Sequence, residues 1–167
     1  MMYTRTSSRL SSCVVLLFAV GLVLSLSGCG FLMHQESSGP TPAQAQRVVK
    51  TASSQMGKKY RLGGASPSKG FDCSGLVYWA YQKNGFKVPR VTKDQARAGR
   101  AVSRNQLRPG DIVVFRTSRS PRGLHTGIYA GDGTFIHSPR AGQRVRKESL
   151  EIKYWKSELI TARRIIR

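Results

Sequence analysis

A chain of 167 residues allows one ordinary domain and a short leader, and 40% hydrophobic residues exclude wholesale disorder. Lys and Arg number 28 against 8 Asp and Glu, a formal charge of +20. Such a surface seeks polyanions, whether nucleic acid, anionic lipid or acidic cell-wall polymer, and charge alone does not choose among them.

The N-terminus does choose. Arg5 and Arg9 precede an apolar run, Val14 to Leu24, which is too short and wrongly flanked for a stable membrane span and reads as a secretory signal peptide over residues 1–28. Leu26-Ser27-Gly28-Cys29 resembles the bacterial lipobox, which implies cleavage before Cys29 and lipidation of that residue. Gly30 stands where an Asp would imply retention at the inner membrane, so the periplasmic face of the outer membrane is the expected location. Removing Arg5 and Arg9 takes the charge from +20 to +18. Export argues against a nucleic-acid partner and turns the basic surface toward peptidoglycan or lipid headgroups. Of the three cysteines, Cys13 lies in the leader and Cys29 would be acylated. Cys73 is left with no partner for a disulfide.

Residues 29–40, with Gly, Pro and little apolar periodicity, form a tether, and 41–167 form the folded domain. Thr41, Pro42 and Gln44 open a helix whose apolar stripe is Val48, Val49, Ala52 and Met56, with Gly57 as its stop. Gly63-Gly64 and Ser66 to Gly70 read as a flexible loop. A second helix follows Asp72, a good N-cap, with Cys73, Leu76, Val77 and Ala80 on one face and Asn84-Gly85 at its end. Ala101 to Pro109 is a polar connector. Strands are expected at Ile112 to Phe115, Leu124 to Ala130, Thr134 to Ser138, Gln143 to Lys147 and Ile160 to Ile165. Helices first and an antiparallel sheet after is an α+β pattern.

The chemistry centres on Cys73. Helix N-termini and neighbouring imidazolium groups both stabilise a thiolate, and the free amides of a first helical turn can hold an oxyanion. The base must then be a His. His34 lies in the tether, whereas His125 and His137 flank Gly131-Asp132-Gly133, a hairpin signal. A three-residue loop sets residue 127 opposite 137, so the two imidazoles share a face. It also sends Ile128 and Ile136 to the other, core-facing side. A two-residue loop, with 131 facing 134, would put the two His on opposite faces. Cys73, His125 and His137 could instead bind zinc, but no second Cys or helix-spaced ligand pair supports that, so no metal is expected.

Phe71-Asp72-Cys73-Ser74-Gly75-Leu76-Val77, Leu107-Arg108-Pro109-Gly110-Asp111-Ile112-Val113-Val114-Phe115, His125-Thr126-Gly127-Ile128-Tyr129 and Phe135-Ile136-His137 together resemble the NlpC/P60 cell-wall peptidases, in particular the small Gram-negative NlpC- and Spr-type lipoproteins. The likeness runs from about residue 43 to the C-terminus. It implies a papain-like fold of circularly permuted type and a thiol endopeptidase cutting stem-peptide or crosslink bonds of peptidoglycan, without a cofactor, as a monomer. Carried over residue by residue, Cys73 is the nucleophile, His125 the general base and acid, and His137 the residue that orients the base. Tyr60, Asp72 and Ser74 are the candidate substrate-binding residues. Asp72 has a second reading as a helix cap only, and Tyr60 as a packing residue. Thr126 stands where Val is more usual and, facing away from the His pair, is expected to matter little. Arg140, Arg144, Arg146 and Lys147 form a basic run able to rim the cleft. Two other readings remain: a catalytically silent peptidoglycan-binding lipoprotein, and an amidase or acyltransferase of the same fold.

Overall fold

The computed structural model describes residues 43–117 and 123–166; the leader, the tether with Cys29, and the capping residues Thr41 and Pro42 lie outside the described residues. Helix α1 (Ala43–Ser53) buries Ala45, Val48 and Ala52 at helical spacing. It ends before Met56, which is 50% exposed and not part of the apolar stripe, while the turn that follows buries Gln55 instead.

The expected flexible loop is an ordered hairpin of β1 (Ala65–Ser66) and β2 (Gly70–Phe71). It is pinned by Phe71 N–H donating to the Lys59 carbonyl and Asp72 N–H donating to that of Gly64. Helix α2 (Cys73–Lys83) follows directly, and the short α3 (Thr92–Gln95) lies beyond it. The polar connector contains an edge strand, β3 (Arg100–Val102), and a 3-10 turn (Arg104–Gln106).

Then come β4 (Ile112–Arg116), β5 (Leu124–Gly131), β6 (Thr134–His137), β7 (Arg146–Ser149), α4 (Lys153–Glu158) and β8 (Leu159–Arg164). The sheet is antiparallel throughout, in the order β3-β8-β4-β5-β6-β7. This is the α+β arrangement that the order of elements implied. Among the described residues no helix is long and apolar enough to cross a membrane.

Strand β4 shows why both faces of the sheet are covered. Ile112, Val113, Val114 and Phe115 are all fully buried, and the two-residue period of a strand sends them alternately to opposite sides. Ile112 and Val114 join Ile128, Ile136 and the helix residues Val48, Leu76, Val77 and Tyr81 in one core. Val113 and Phe115 join Phe135, Leu150, Trp155 and Ala162 in another. Helix α4, which the sequence pattern did not indicate, supplies Trp155 to that second core. The last expected strand before it is displaced: β7 covers 146–149, not 143–147. The backbone of 143–145 is used elsewhere, accepting from Tyr60 N–H and Gly57 N–H and donating from Val145 N–H to Lys58.

The β5–β6 hairpin has the expected register by an unexpected route. Ile128 pairs with Ile136 and Tyr129 with Phe135, so 127 faces 137. At the tip, however, Gly131 pairs with Thr134, leaving a two-residue turn in which Asp132 (φ 49°) and Gly133 (φ 65°) are both left-handed. That is the turn whose twist suits a hairpin. A bulge between Tyr129 and Gly131 absorbs the extra residue, Ala130, and restores the alternation that a plain two-residue loop would have reversed.

Candidate active site

The first turn of α2 is held by its cap. Asp72 has extended backbone angles, and its Oδ1 accepts from Gly75 N–H at 2.6 Å. The same carboxylate takes a two-pronged contact from Arg90, Nη1 to Oδ1 and Nη2 to Oδ2, each at 2.9 Å. Gly63 N–H donates to Oδ2 at 2.9 Å, and the Ser74 hydroxyl to Oδ1 at 3.3 Å. Arg90 also reaches the Ser74 hydroxyl and the Gly64 carbonyl. Both Asp72 and Ser74 are buried, whereas the Arg90 side chain is 32% exposed. Asp72 is therefore a cap and an ion-pair partner at once, its lone pairs filled by protein donors. The exposed member of this group, Arg90, was not among the residues singled out from the sequence.

Cys73 is the first residue of α2, 9% exposed, with Sγ 3.7 Å from the Thr92 hydroxyl. Its amide belongs to the first turn, where N–H groups have no partner within the helix. Tyr60, half-buried, is tied into the same corner by a bridge to Phe71. Its phenol is held above its ordinary pKa by burial and by the negative charges available at Cys73 and Asp72. Tyr60 thus lies near enough to Asp72 and Cys73 for their charges to act on its phenol.

The two histidines meet as well. His125 Nε2 and His137 Nδ1 are 2.8 Å apart, with the rings perpendicular (88°) and their centroids 5.0 Å apart. Gly127 keeps the strands free for this: a Cβ there would lie 2.8 Å from the Phe135 ring and 2.9 Å from the Ile136 carbonyl oxygen. His125 and His137 are 3% and 0% exposed, and Trp155 stacks on one ring and meets the other edge-on. Burial pushes the pKa of both imidazoles below the ordinary value. For His125 the neighbouring His137 adds to the lowering and Glu148 opposes it; for His137, Glu148 opposes and Arg146 adds.

Glu148, on β7, is a second residue that the sequence reading passed over. Burial works to raise its pKa, but the neighbouring His137, Trp155 and Arg146 override this and hold it at about 2. Its Oε1 is ion-paired with Arg146, so that arginine locks the carboxylate and is not free at a basic rim. Its Oε2 accepts from the indole of Trp155 and lies 3.5 Å from His137 Nε2. The signal that could have found it was strand alternation: Phe135 pairs with Glu148 and His137 with Arg146, so Glu148 lies on the face of the His pair. Ending the predicted strand at residue 147 hid this.

The thiol end and the imidazole end are joined by Gln95, fully buried on α3. Its Nε2 donates to the Ser74 carbonyl at 2.9 Å and to that of Pro89 at 2.8 Å, and its Oε1 accepts from the Thr126 hydroxyl at 3.1 Å. One side chain therefore spans from the residue after Cys73 to the residue after His125. Thr126 does face away from the His pair, but its hydroxyl has a use that valine could not supply.

Comparison with known proteins gives the family. The model of the NlpC/P60 family matches residues 57–164. The chain is 41% identical over 131 residues to murein DD-endopeptidase MepH of Escherichia coli K12, covering 74% of this chain and 48% of that protein. It is 44% identical over 115 residues to the probable endopeptidase YafL of the same organism, covering 67% and 46%. The crystal structure of an NlpC/P60 family protein from Bacillus cereus superposes with a TM-score of 0.69 at 36% identity, covering 77% of this chain and 42% of that one. The chain spans about half the length of these relatives. A match over most of the described domain, at this identity and with this fold, places the chain in the NlpC/P60 family.

Proposed function

We propose that this protein is a peptidoglycan endopeptidase working through a cysteine thioester. The observation that carries the reading is the buried 2.8 Å contact between His125 Nε2 and His137 Nδ1, linked through Gln95 to the helix start that bears Cys73. With Nε2 engaged, Nδ1 of His125 is the nitrogen left to take the thiol proton. The thiolate attacks a stem-peptide carbonyl, and the Cys73 amide, aided by the Tyr60 hydroxyl, receives the oxyanion. His125 returns the proton to the leaving amine, and water then hydrolyses the thioester. Arg90, held by Asp72 and Ser74 beside the nucleophile, offers its exposed edge to a substrate carboxylate or carbonyl. The likeness to murein DD-endopeptidase MepH supports the substrate class.

The envelope setting belongs to the same proposal: secretion by the 1–28 leader, lipidation at Cys29, residence at the outer membrane and action as a monomer. A basic surface on an exported chain suits an acidic wall polymer. Digestion of purified murein with mass spectrometry of the released peptides tests the activity. The wild-type protein releases muropeptides and Cys73→Ala releases none; continued release by the variant overturns the thiol mechanism.

A further inference from the structure

His137 has one ring nitrogen in use and one without a hydrogen bond. Nδ1 meets His125, while Nε2, in a side chain that is fully buried, has no partner at hydrogen-bonding distance among the described residues. The polar group it points toward is the Glu148 carboxylate, 3.5 Å away, and that carboxylate is itself clamped by the Trp155 indole and Arg146. A buried N–H facing a fixed anion at slightly long range is an arrangement that shortens when charge appears on the ring.

We propose that Glu148 is a positioning residue at the far end of a four-member chain, Cys73–His125–His137–Glu148, and that it selects the tautomer of both imidazoles. The proposal rests on reading Cys73 and His125 as nucleophile and base. To accept the thiol proton, His125 needs a lone pair on Nδ1, so its own proton sits on Nε2 and is donated to His137 Nδ1. His137 must then carry its proton on Nε2, directed at Glu148. The opposite choice, with the His137 proton on Nδ1, would make His125 Nε2 the acceptor and leave the His125 proton on Nδ1, where it blocks the thiol. A carboxylate beside His137 Nε2 favours the first choice and disfavours the second.

No proton needs to leave His125 for this to work. When the thiol proton moves from Sγ to Nδ1, the imidazolium keeps its Nε2–H bond to His137, and the negative charge of Glu148 stabilises it from one ring further away. Among the described residues, the titratable and charged groups facing His137 are His125 from β5 and Arg146 and Glu148 from β7; α4 contributes the neutral indole of Trp155.

The test compares the full-length protein with Glu148→Gln and Glu148→Asp, alongside Cys73→Ala as control. Gln keeps an acceptor for the indole but removes the charge. Murein hydrolysis should fall by ~10–100-fold in kcat with KM little changed, the range seen when the partner orienting a metal-binding His is removed. The acid limb of the kcat/KM profile should move to lower pH, because a charge that favoured the imidazolium is gone; Glu148→Asp should recover part of kcat and move the limb back. A merely structural role would lower the thermal midpoint without moving that limb. An inactive Cys73→Ala beside a Glu148→Gln of unchanged kcat and pH profile overturns the relay and leaves the nucleophile standing; an active Cys73→Ala overturns the reading beneath it. Nitrogen NMR of the wild-type imidazoles decides independently of how the variants fold: His137 protonated at Nε2 supports the relay, and protonation at Nδ1 overturns it.

Discussion

Asp72 receives five donors on its two carboxylate oxygens, from Gly63, Ser74, Gly75 and both arms of Arg90, whereas His137 leaves one buried ring nitrogen without a hydrogen bond. Both groups are buried within the same candidate site, yet they solve opposite problems. The cap must not move, because it sets the direction of the helix that presents Cys73, and a fully satisfied network is rigid. The histidine pair must accept charge during a reaction. Its surroundings are aromatic, its pKa values are pushed down by burial, and the compensating anion among the described residues, Glu148, stands 3.5 Å from His137 Nε2. Rigidity is concentrated where the nucleophile is aimed, and unused bonding capacity where the proton is handled.

Breaking the saturated end should have the largest effect on stability. Asp72→Ala removes a helix cap and leaves the Arg90 guanidinium without its carboxylate, a combined loss of ~2–4 kcal/mol. Urea denaturation followed by circular dichroism measures it, and a loss below ~1 kcal/mol would show that the cap is dispensable. Thr126→Val attacks the link between the two ends. It strips the donor that bonds the buried Gln95 Oε1 among the described residues and should cost ~1–3 kcal/mol, the penalty for an unpaired buried acceptor. It should also loosen Thr92 against Cys73, visible as a lower kcat in murein digestion. The smallest effect is expected from deleting Ala130. That residue is the bulge, and without it Tyr129 still pairs with Phe135 across the Asp132-Gly133 turn, so His125 and His137 keep their shared face. Murein digestion should remain near wild type, with a stability change of about 1 kcal/mol; abolished hydrolysis in a folded variant would mean that the bulge itself aims the imidazoles.

Much of the candidate site was legible because its parts are local. Asp72 before Cys73 is a cap by residue type and position, and the helix begins where that cap puts it. The shared face of His125 and His137 was read from a three-residue loop, with which the alternation of Ile128 and Ile136 on the core side agreed. Even so, the register was reached through a turn and a bulge instead of a three-residue loop. Several loop geometries yield one pairing, and the pattern of buried side chains constrains the pairing more tightly than the tip.

The residues that sequence reasoning missed are joined to the site only through space. Arg90 lies 18 positions from Asp72, Gln95 31 from Thr126, and Glu148 11 from His137. Each is a polar residue in a polar stretch, which by itself looks like solvated surface. Trp155 stacks on His125 from a six-residue helix with no clear periodicity of its own.

The sequence by itself determined the helix start at Cys73, the strand over Ile112 to Phe115 and the facing of the two histidines. These depend on caps and on periods of 3.6 and 2, which act over a few residues. Only the tertiary structure decided what those groups touch: which arginine fills the cap, which glutamine ties the thiol end to the imidazole end, and which glutamate ends the histidine chain. Such contacts are chosen when distant segments pack and every buried donor and acceptor must find a partner, a condition on the whole fold that no single stretch of sequence states.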